Sequence, residues 1–162
     1  MRMLPLVLSE HSDVALLIAG NGPSLQSLQD EAMQIGILGN CAFTGYLQRT
    51  DLALVYALSD IFVFPSLTET QGLVTIEAMC SGKPVVAIGA MGTLMVMDGD
   101  NGGFMVANDP GEFASRIIDL LDDPVLYARK CQEARLHASS WTIDAMTARL
   151  EQIYHHCIES HA

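Results

Sequence analysis

Apolar and polar positions alternate along this chain in blocks. Val14–Ala19 (VALLIA), Ile61–Phe64 (IFVF) and Val85–Ile88 are apolar throughout, the pattern of strands covered on both faces. Cys41–Thr44 and Gly102–Val106 are shorter strand candidates. Between these runs the period changes. Leu25, Leu28, Ala32 and Ile35 recur at helical spacing within Ser24–Ile35, and Pro23 suits a first helical turn. Asp51 is placed to cap or open a helix reaching Leu58. Gly72–Ser81 reads as a helix closed by Gly82. From Asp109 onward the pattern is helical to the end, in segments 110–122, 124–137 and 142–159, broken at Pro124 and at Ser139-Ser140, with Thr142 as a cap.

Strands that alternate with helices imply a parallel sheet with helices on both faces. The expected fold is therefore α/β: one Rossmann-like, three-layer α/β/α domain over residues 1–162, with a helical C-terminal segment over about 110–159. Open sheets of this kind bind ligands beyond the carboxyl ends of their strands. Functional residues are then expected just after Ala19, Thr44, Phe64 and Ile88.

Composition narrows the partners. Half of the 162 residues are hydrophobic and 17% are charged, enough apolar matter for a core and too little charge for a disordered chain. The net charge of −11 argues against a nucleic-acid partner and against anionic membrane surfaces. Cys41, Cys80, Cys131 and Cys157 show no CxxC spacing and lie in apolar or helical stretches. They read as reduced, buried thiols, which fits the cytoplasm. Leu4–Leu8 is too short for a signal segment and is interrupted by Pro5. No apolar run reaches the length of a membrane span.

The segment Phe64–Gly82 (FPSLTETQGLVTIEAMCSG) carries the chemistry. It reads strand, loop, glycine, helix. The first amides of a helix lack internal partners and form its positive end. A glycine there lets an anion approach closely, so Gly72, Leu73 and Val74 form a candidate phosphate cradle without a basic side chain. Gly72 alone is equally well read as a simple turn. Glu77 lies on a mostly apolar helix, two positions from Thr75. That separation turns the helix by roughly 200°, so the two cannot share the centre of one solvent face. A carboxylate in such a place needs a partner, water or a ligand, and ribose hydroxyls would serve. A partly exposed surface glutamate is the competing reading. Glu69, in the loop above the strand end, either faces a sugar or is solvated.

At these residues the sequence resembles the group 1 retaining glycosyltransferases. Their C-terminal domains carry Pro-Ser, a glutamate, seven residues, a second glutamate and Ala-Met, which stand here as Pro65-Ser66, Glu69 and Glu77-Ala78-Met79. Gly20-Asn21-Gly22-Pro23, Phe43-Thr44-Gly45, Tyr56-Ala57, Ser59-Asp60, Gly82, Pro84-Val85-Val86, Gly102 and Asp109-Pro110 continue the likeness over roughly residues 10–155. The resemblance implies the C-terminal, donor-binding half of a GT-B enzyme of hexosyltransferase type. Such an enzyme moves a sugar from a nucleotide diphosphate donor, with retention and without a metal held by an Asp-x-Asp motif, to a saccharide or glycolipid. It further implies Glu69 beside the donor sugar as the catalytic or orienting carboxylate. Glu77 would then bind the ribose, the amides of Gly72, Leu73 and Val74 the diphosphate, and Gly45 and Tyr46 would lie near the base. No cofactor is implied beyond the donor substrate. Gln71 resembles a variant found in some glycolipid-synthesising members.

The family's diphosphate-neutralising cations and its N-terminal, acceptor-binding domain have no counterpart in residues 1–162, and no Arg or Lys lies between Arg49 and Lys83. These 162 residues alone are accordingly expected to be inactive. The full enzyme is expected in the cytoplasm, peripheral to the inner membrane face at most. Two other readings stay open: a non-catalytic nucleotide-binding module that needs a partner acceptor domain, and another GT-B enzyme such as an epimerase. Asp98–Gly102 lacks the closing glutamate of a calcium loop. His155, His156 and His161 lack partners at metal-binding spacing, and Met91, Met95 and Met97 read as core or pocket lining. Trp141 is expected to anchor the last helix.

Overall fold

A computed structural model describes residues 1–97 and 99–160. Asp98, of the calcium-loop motif, and His161 fall outside the described residues. Among the described residues, five strands and eight α-helices follow in the order α1 (Leu4–Glu10), β1 (Leu16–Ala19), α2 (Leu25–Gln34), β2 (Cys41–Gly45), α3 (Arg49–Leu58), β3 (Phe62–Phe64), α4 (Leu73–Cys80), β4 (Val85–Ile88), α5 (Gly92–Val96), β5 (Gly103–Val106), α6 (Pro110–Asp122), α7 (Pro124–Ser139) and α8 (Ile143–Glu159). Every strand pairing is parallel, as the apolar runs predict. The strands fall into two hydrogen-bonded groups, β1-β2 and β3-β4-β5.

β4 lies at the centre of the core, and period-two alternation sorts its side chains between two apolar clusters. Val85 and Ala87 join Ile76 and Met79 of α4, Val96 of α5, and Ala134 and Ala138 of α7. Val86 and Ile88 point to the other face, where they meet Val7 of α1, Phe104 and Val106 of β5, and Phe113, Ile117 and Leu120 of α6. These are the expected three layers. A smaller cluster of Leu4, Ala32 and Ile37 supports the β1-β2 side. Trp141, in the turn before α8, packs against the first cluster, and Thr142 caps α8 by accepting from the Ala145 amide at 3.2 Å.

Several local expectations shift. Leu4–Glu10, assigned no element from sequence, is a helix: Pro5 occupies its first turn, where a missing N–H costs nothing, and Leu4 and Val7 are buried. β1 starts at Leu16, two residues late, with Val14 packing below it. α3 starts at Arg49 behind Gln48, so Asp51 sits inside the first turn, where its charge still complements the helix dipole. Gly92–Val96 is a short helix that the apolar run concealed. The expected buried thiols are not found: Cys41 and Cys131 are half-buried, and Cys80 and Cys157 fall on solvent-facing sides of α4 and α8. Among the described residues no helix is long and apolar enough to cross a membrane.

Candidate functional site

The loop between β3 and α4 builds the site. Gly72 caps α4 in the left-handed region, at φ 71°. A side chain there would be strained, and it would also collide: a Cβ would stand 2.5 Å from Val96 Cγ2 and 2.8 Å from the Gly92 carbonyl. Gly72 is thus required both by conformation and by the approach of α5. α5 is bound to the same loop, since the Gly92 amide donates to the Glu69 carbonyl at 2.7 Å.

Glu69 turns back onto the start of α4. Its Oε1 accepts from the amides of Gln71 at 2.9 Å and Gly72 at 2.8 Å. Those amide bonds hold its carboxyl below the usual carboxylate range. The Gly72 amide is therefore committed to Glu69 in this structure. The next two amides, Leu73 and Val74, belong to the first turn and have no acceptor within the helix.

α4 separates its polar residues as the spacing requires: Thr75 is fully buried and Glu77 is exposed. Glu77 is not loose. Tyr56 of α3, itself buried, donates its phenol to Glu77 Oε2 at 3.2 Å and lies 3.4 Å from the Val74 carbonyl. Burial, the neighbouring Glu77 charge and this hydrogen bond push the Tyr56 phenol well above its ordinary pKa, so it remains a donor. Tyr56 was not among the sequence-derived site residues. Leu52 and Tyr56 form the core-facing side of α3, so the tyrosine reads as packing, and only tertiary contact reveals what its hydroxyl does. Glu69 and Glu77 thus bracket one helix N-terminus, each held by hydrogen bonds.

Gly45 and Tyr46 stand at the end of β2. Gly45 (φ 65°) receives the Gly20 amide on its carbonyl at 2.9 Å, which joins the ends of β1 and β2. Tyr46 is 75% exposed. Both lie at carboxyl strand ends, as expected, but no hydrogen bond among the described residues ties them to Glu69 or Glu77. Met91, at the start of α5, has φ 43° and ψ −118°, a strained conformation for any residue but glycine. Met91 and Met95 are exposed and Met97 is buried, so the three divide between rim and core. A cavity of about 550 Å³ is lined by Met95, His137, Trp141, Met146 and Arg149, among others, and by no residue of 69–77. Its walls offer no carboxylate. Among the described residues no cluster of His, Cys, Asp or Glu could hold a metal.

A parallel α/β/α domain thus carries two anchored carboxylates around a glycine-opened helix beyond a carboxyl strand end, where open sheets of this kind bind ligands. The group 1 glycosyl transferases match this sequence over residues 1–123, and the chain belongs to that family. D-inositol 3-phosphate glycosyltransferase 2 of Catenulispora acidiphila is 34% identical over 158 residues, which cover 93% of this chain and 37% of the relative. The alpha-monoglucosyldiacylglycerol synthase of Streptococcus pneumoniae is 41% identical over 83 residues, covering 51% of this chain and 19% of that enzyme. Among solved structures, Anabaena HepE in complex with UDP and glucose superposes with a TM-score of 0.79 at 25% identity, over 97% of this chain and 44% of that one. The fold is that of a GT-B C-terminal domain. The chain spans less than half the length of these relatives.

Proposed function

We propose that residues 1–162 form the donor-binding part of a retaining, metal-independent hexosyltransferase that uses a nucleoside diphosphate sugar. The observation that carries this reading is the pair Glu69 and Glu77, fixed on either side of the α4 N-terminus by backbone amides and by Tyr56. In it, Glu77 accepts hydrogen bonds from the ribose hydroxyls, with its second oxygen steadied by Tyr56. The amides of Leu73 and Val74, at the positive end of α4, take the diphosphate. Gly72 contributes its own amide when Glu69 yields it. Gly45 and Tyr46 face the base. Glu69, ionised and close to the diphosphate, orients the sugar and stabilises the positive charge that develops at its anomeric carbon. The bond from that carbon to the diphosphate breaks, a bond to the acceptor oxygen forms on the same face, and the acceptor proton passes to the departing diphosphate.

HepE, bound to UDP and glucose, makes a uridine donor the first to test. The acceptor is a saccharide or a glycolipid. The acceptor-binding half comes from outside these residues, so the 162-residue chain binds donor but does not transfer. Calorimetric titration with UDP, GDP and ADP tests the site. One of them should bind, and Glu77→Gln should weaken it at least about tenfold, the loss of one charge-assisted hydrogen bond. A folded sample that binds none of the three refutes the donor site. Sugar transfer by the 162-residue chain refutes the division of labour.

A further inference from the structure

α5 forms the second wall of the Glu69 loop, and its own hold on the fold is slight. Its five residues are too few for a helix to persist unaided. Its entry at Met91 is strained. Its one hydroxyl, Thr93 Oγ1, is buried without a hydrogen-bond partner among the described residues. Among those residues, two bonds from other elements secure its ends. At the first residue, the Gly92 amide donates to the Glu69 carbonyl. At the last, the Val96 carbonyl, which has no donor within the helix, accepts from Nε2 of His137 at 2.5 Å. His137 stands in the final turn of α7. A carbonyl can only accept, so Nε2 carries the proton.

Val96 carries this hold into the site. Its carbonyl is fixed by His137, while its side chain presses on Gly72, where an added Cβ would stand 2.5 Å from Cγ2. The other end of α5 is as tight. A Cβ on Gly92 would meet the Thr70 carbonyl carbon and the Gln71 nitrogen, each at 2.6 Å. Thr70, Gln71 and Gly72 therefore rest on α5, and the amides of the last two hold Glu69. The remaining support of Val96 is apolar: it shares its cluster with Ala134 and Ala138, on the same stretch of α7 as His137. Apolar contact has no preferred direction, so it leaves a short helix free to slide. The imidazole bond fixes where α5 stops. Close-packed neighbours transmit such displacements, so a shift of Val96 away from Gly72 loosens the left-handed turn and the Glu69 bonds with it.

We propose that His137 is a positioning residue for the Glu69 carboxylate. It holds the Val96 carbonyl, and through α5 it keeps the 69–72 loop in the form in which Glu69 takes the Gly72 amide. His137 lines the cavity beside Trp141 and Arg149, away from residues 69–77, so its effect on the loop passes through α5. The consequence for ligand binding rests on the proposed donor site, where the same loop leads into the amides that take the diphosphate. Removing the imidazole donor leaves the carbonyl of a buried residue unpaired.

Amide hydrogen exchange in the nucleotide-free chain tests this. His137→Leu removes the donor. His137→Asn, polar but too short to place its amide at the Nε2 position, is the second variant. His137→Gln keeps a donor near that position and serves as the rescue. Ile117→Val, in the cluster on the other face of β4, lowers global stability and serves as the control. Exchange at Gln71, Gly72 and Gly92 should quicken about three- to tenfold in His137→Leu and His137→Asn, the effect of one neutral hydrogen bond. It should stay near wild type in His137→Gln and Ile117→Val. Unchanged exchange in the Leu and Asn variants overturns the proposal. So does equal quickening in Ile117→Val, which would report general loosening, or a Gln variant as fast as the Leu variant. Titration with UDP, GDP and ADP separates this from the donor site. A nucleotide that binds the wild type should bind His137→Leu about three- to tenfold more weakly and His137→Gln almost unchanged; equal affinity in all three overturns the positioning role. A wild type that binds none refutes the donor site and leaves exchange to decide for His137.

Discussion

The β3-β4-β5 half and the β1-β2 half of this domain are built from similar sequence and reach different degrees of completion. In the first, β4 is buried at every position and is sandwiched between α4–α7 and α1–α6. In the second, an equally apolar β1 is half exposed, and its supporting cluster has three buried residues. The difference shows that apolar sequence gives a strand the capacity for burial, whereas neighbours on both edges and both faces realise it. The carboxylate pair belongs to the complete half. Gly45 and Tyr46, assigned to the base, belong to the other.

The widest separation should appear at the turn glycines. Gly72→Ala adds left-handed strain to a collision with Val96 and the Gly92 carbonyl, so urea denaturation should show a loss of about 3 kcal/mol. Gly45→Ala, with a similar φ and no atom near the added Cβ, should lose about 1 kcal/mol, from strain alone. Equal losses would erase the distinction between the halves. Core truncation comes next. Val86→Ala, fully buried, should cost about 2–3 kcal/mol, and Leu17→Ala under about 1 kcal/mol, measured the same way. A large cost at Leu17 would mean that β1 is covered in solution.

Smaller effects sharpen the site itself. Met91→Gly removes a strained backbone worth ~1–3 kcal/mol and restores ~0.5–1 kcal/mol of unfolded-state entropy, so thermal melting should show a net gain of about 1 kcal/mol. The smallest effect is electrostatic. Glu69 is held below the ordinary carboxylate range by the Gln71 and Gly72 amides. Its bonds therefore stabilise the loop fully above the pKa of an unfolded glutamate, and the contribution fades as pH falls through the lowered folded value. Protection of the Gln71 and Gly72 amides should decline across that acidic window in the wild type. In Glu69→Gln it should be weaker at neutral pH and insensitive to that window.

Much of this was legible in the chain. The alternation of apolar runs with helical periods announced the parallel α/β/α order, because doubly covered strands have few other solutions. The opposed environments of Thr75 and Glu77 followed from helix geometry alone. Pro5 concealed α1, since a proline that interrupts an apolar run also suits a first turn. The brief α5 was hidden among methionines whose pattern has no clear period. Tyr56 looked like core because most of it is core, and its hydroxyl finds Glu77 only across 21 positions of sequence.

The sequence by itself determined most element types, though not α1 or α5, together with the layer arrangement and the positions of the two carboxylates, since these follow from local period, turn chemistry and spacing. Tertiary structure alone decided that Glu69 takes the Gly72 amide, that Tyr56 steadies Glu77, and that the sheet divides between β1 and β3. Those outcomes depend on which backbone groups meet across long separations, and no local pattern encodes the neighbour that a strand edge lacks.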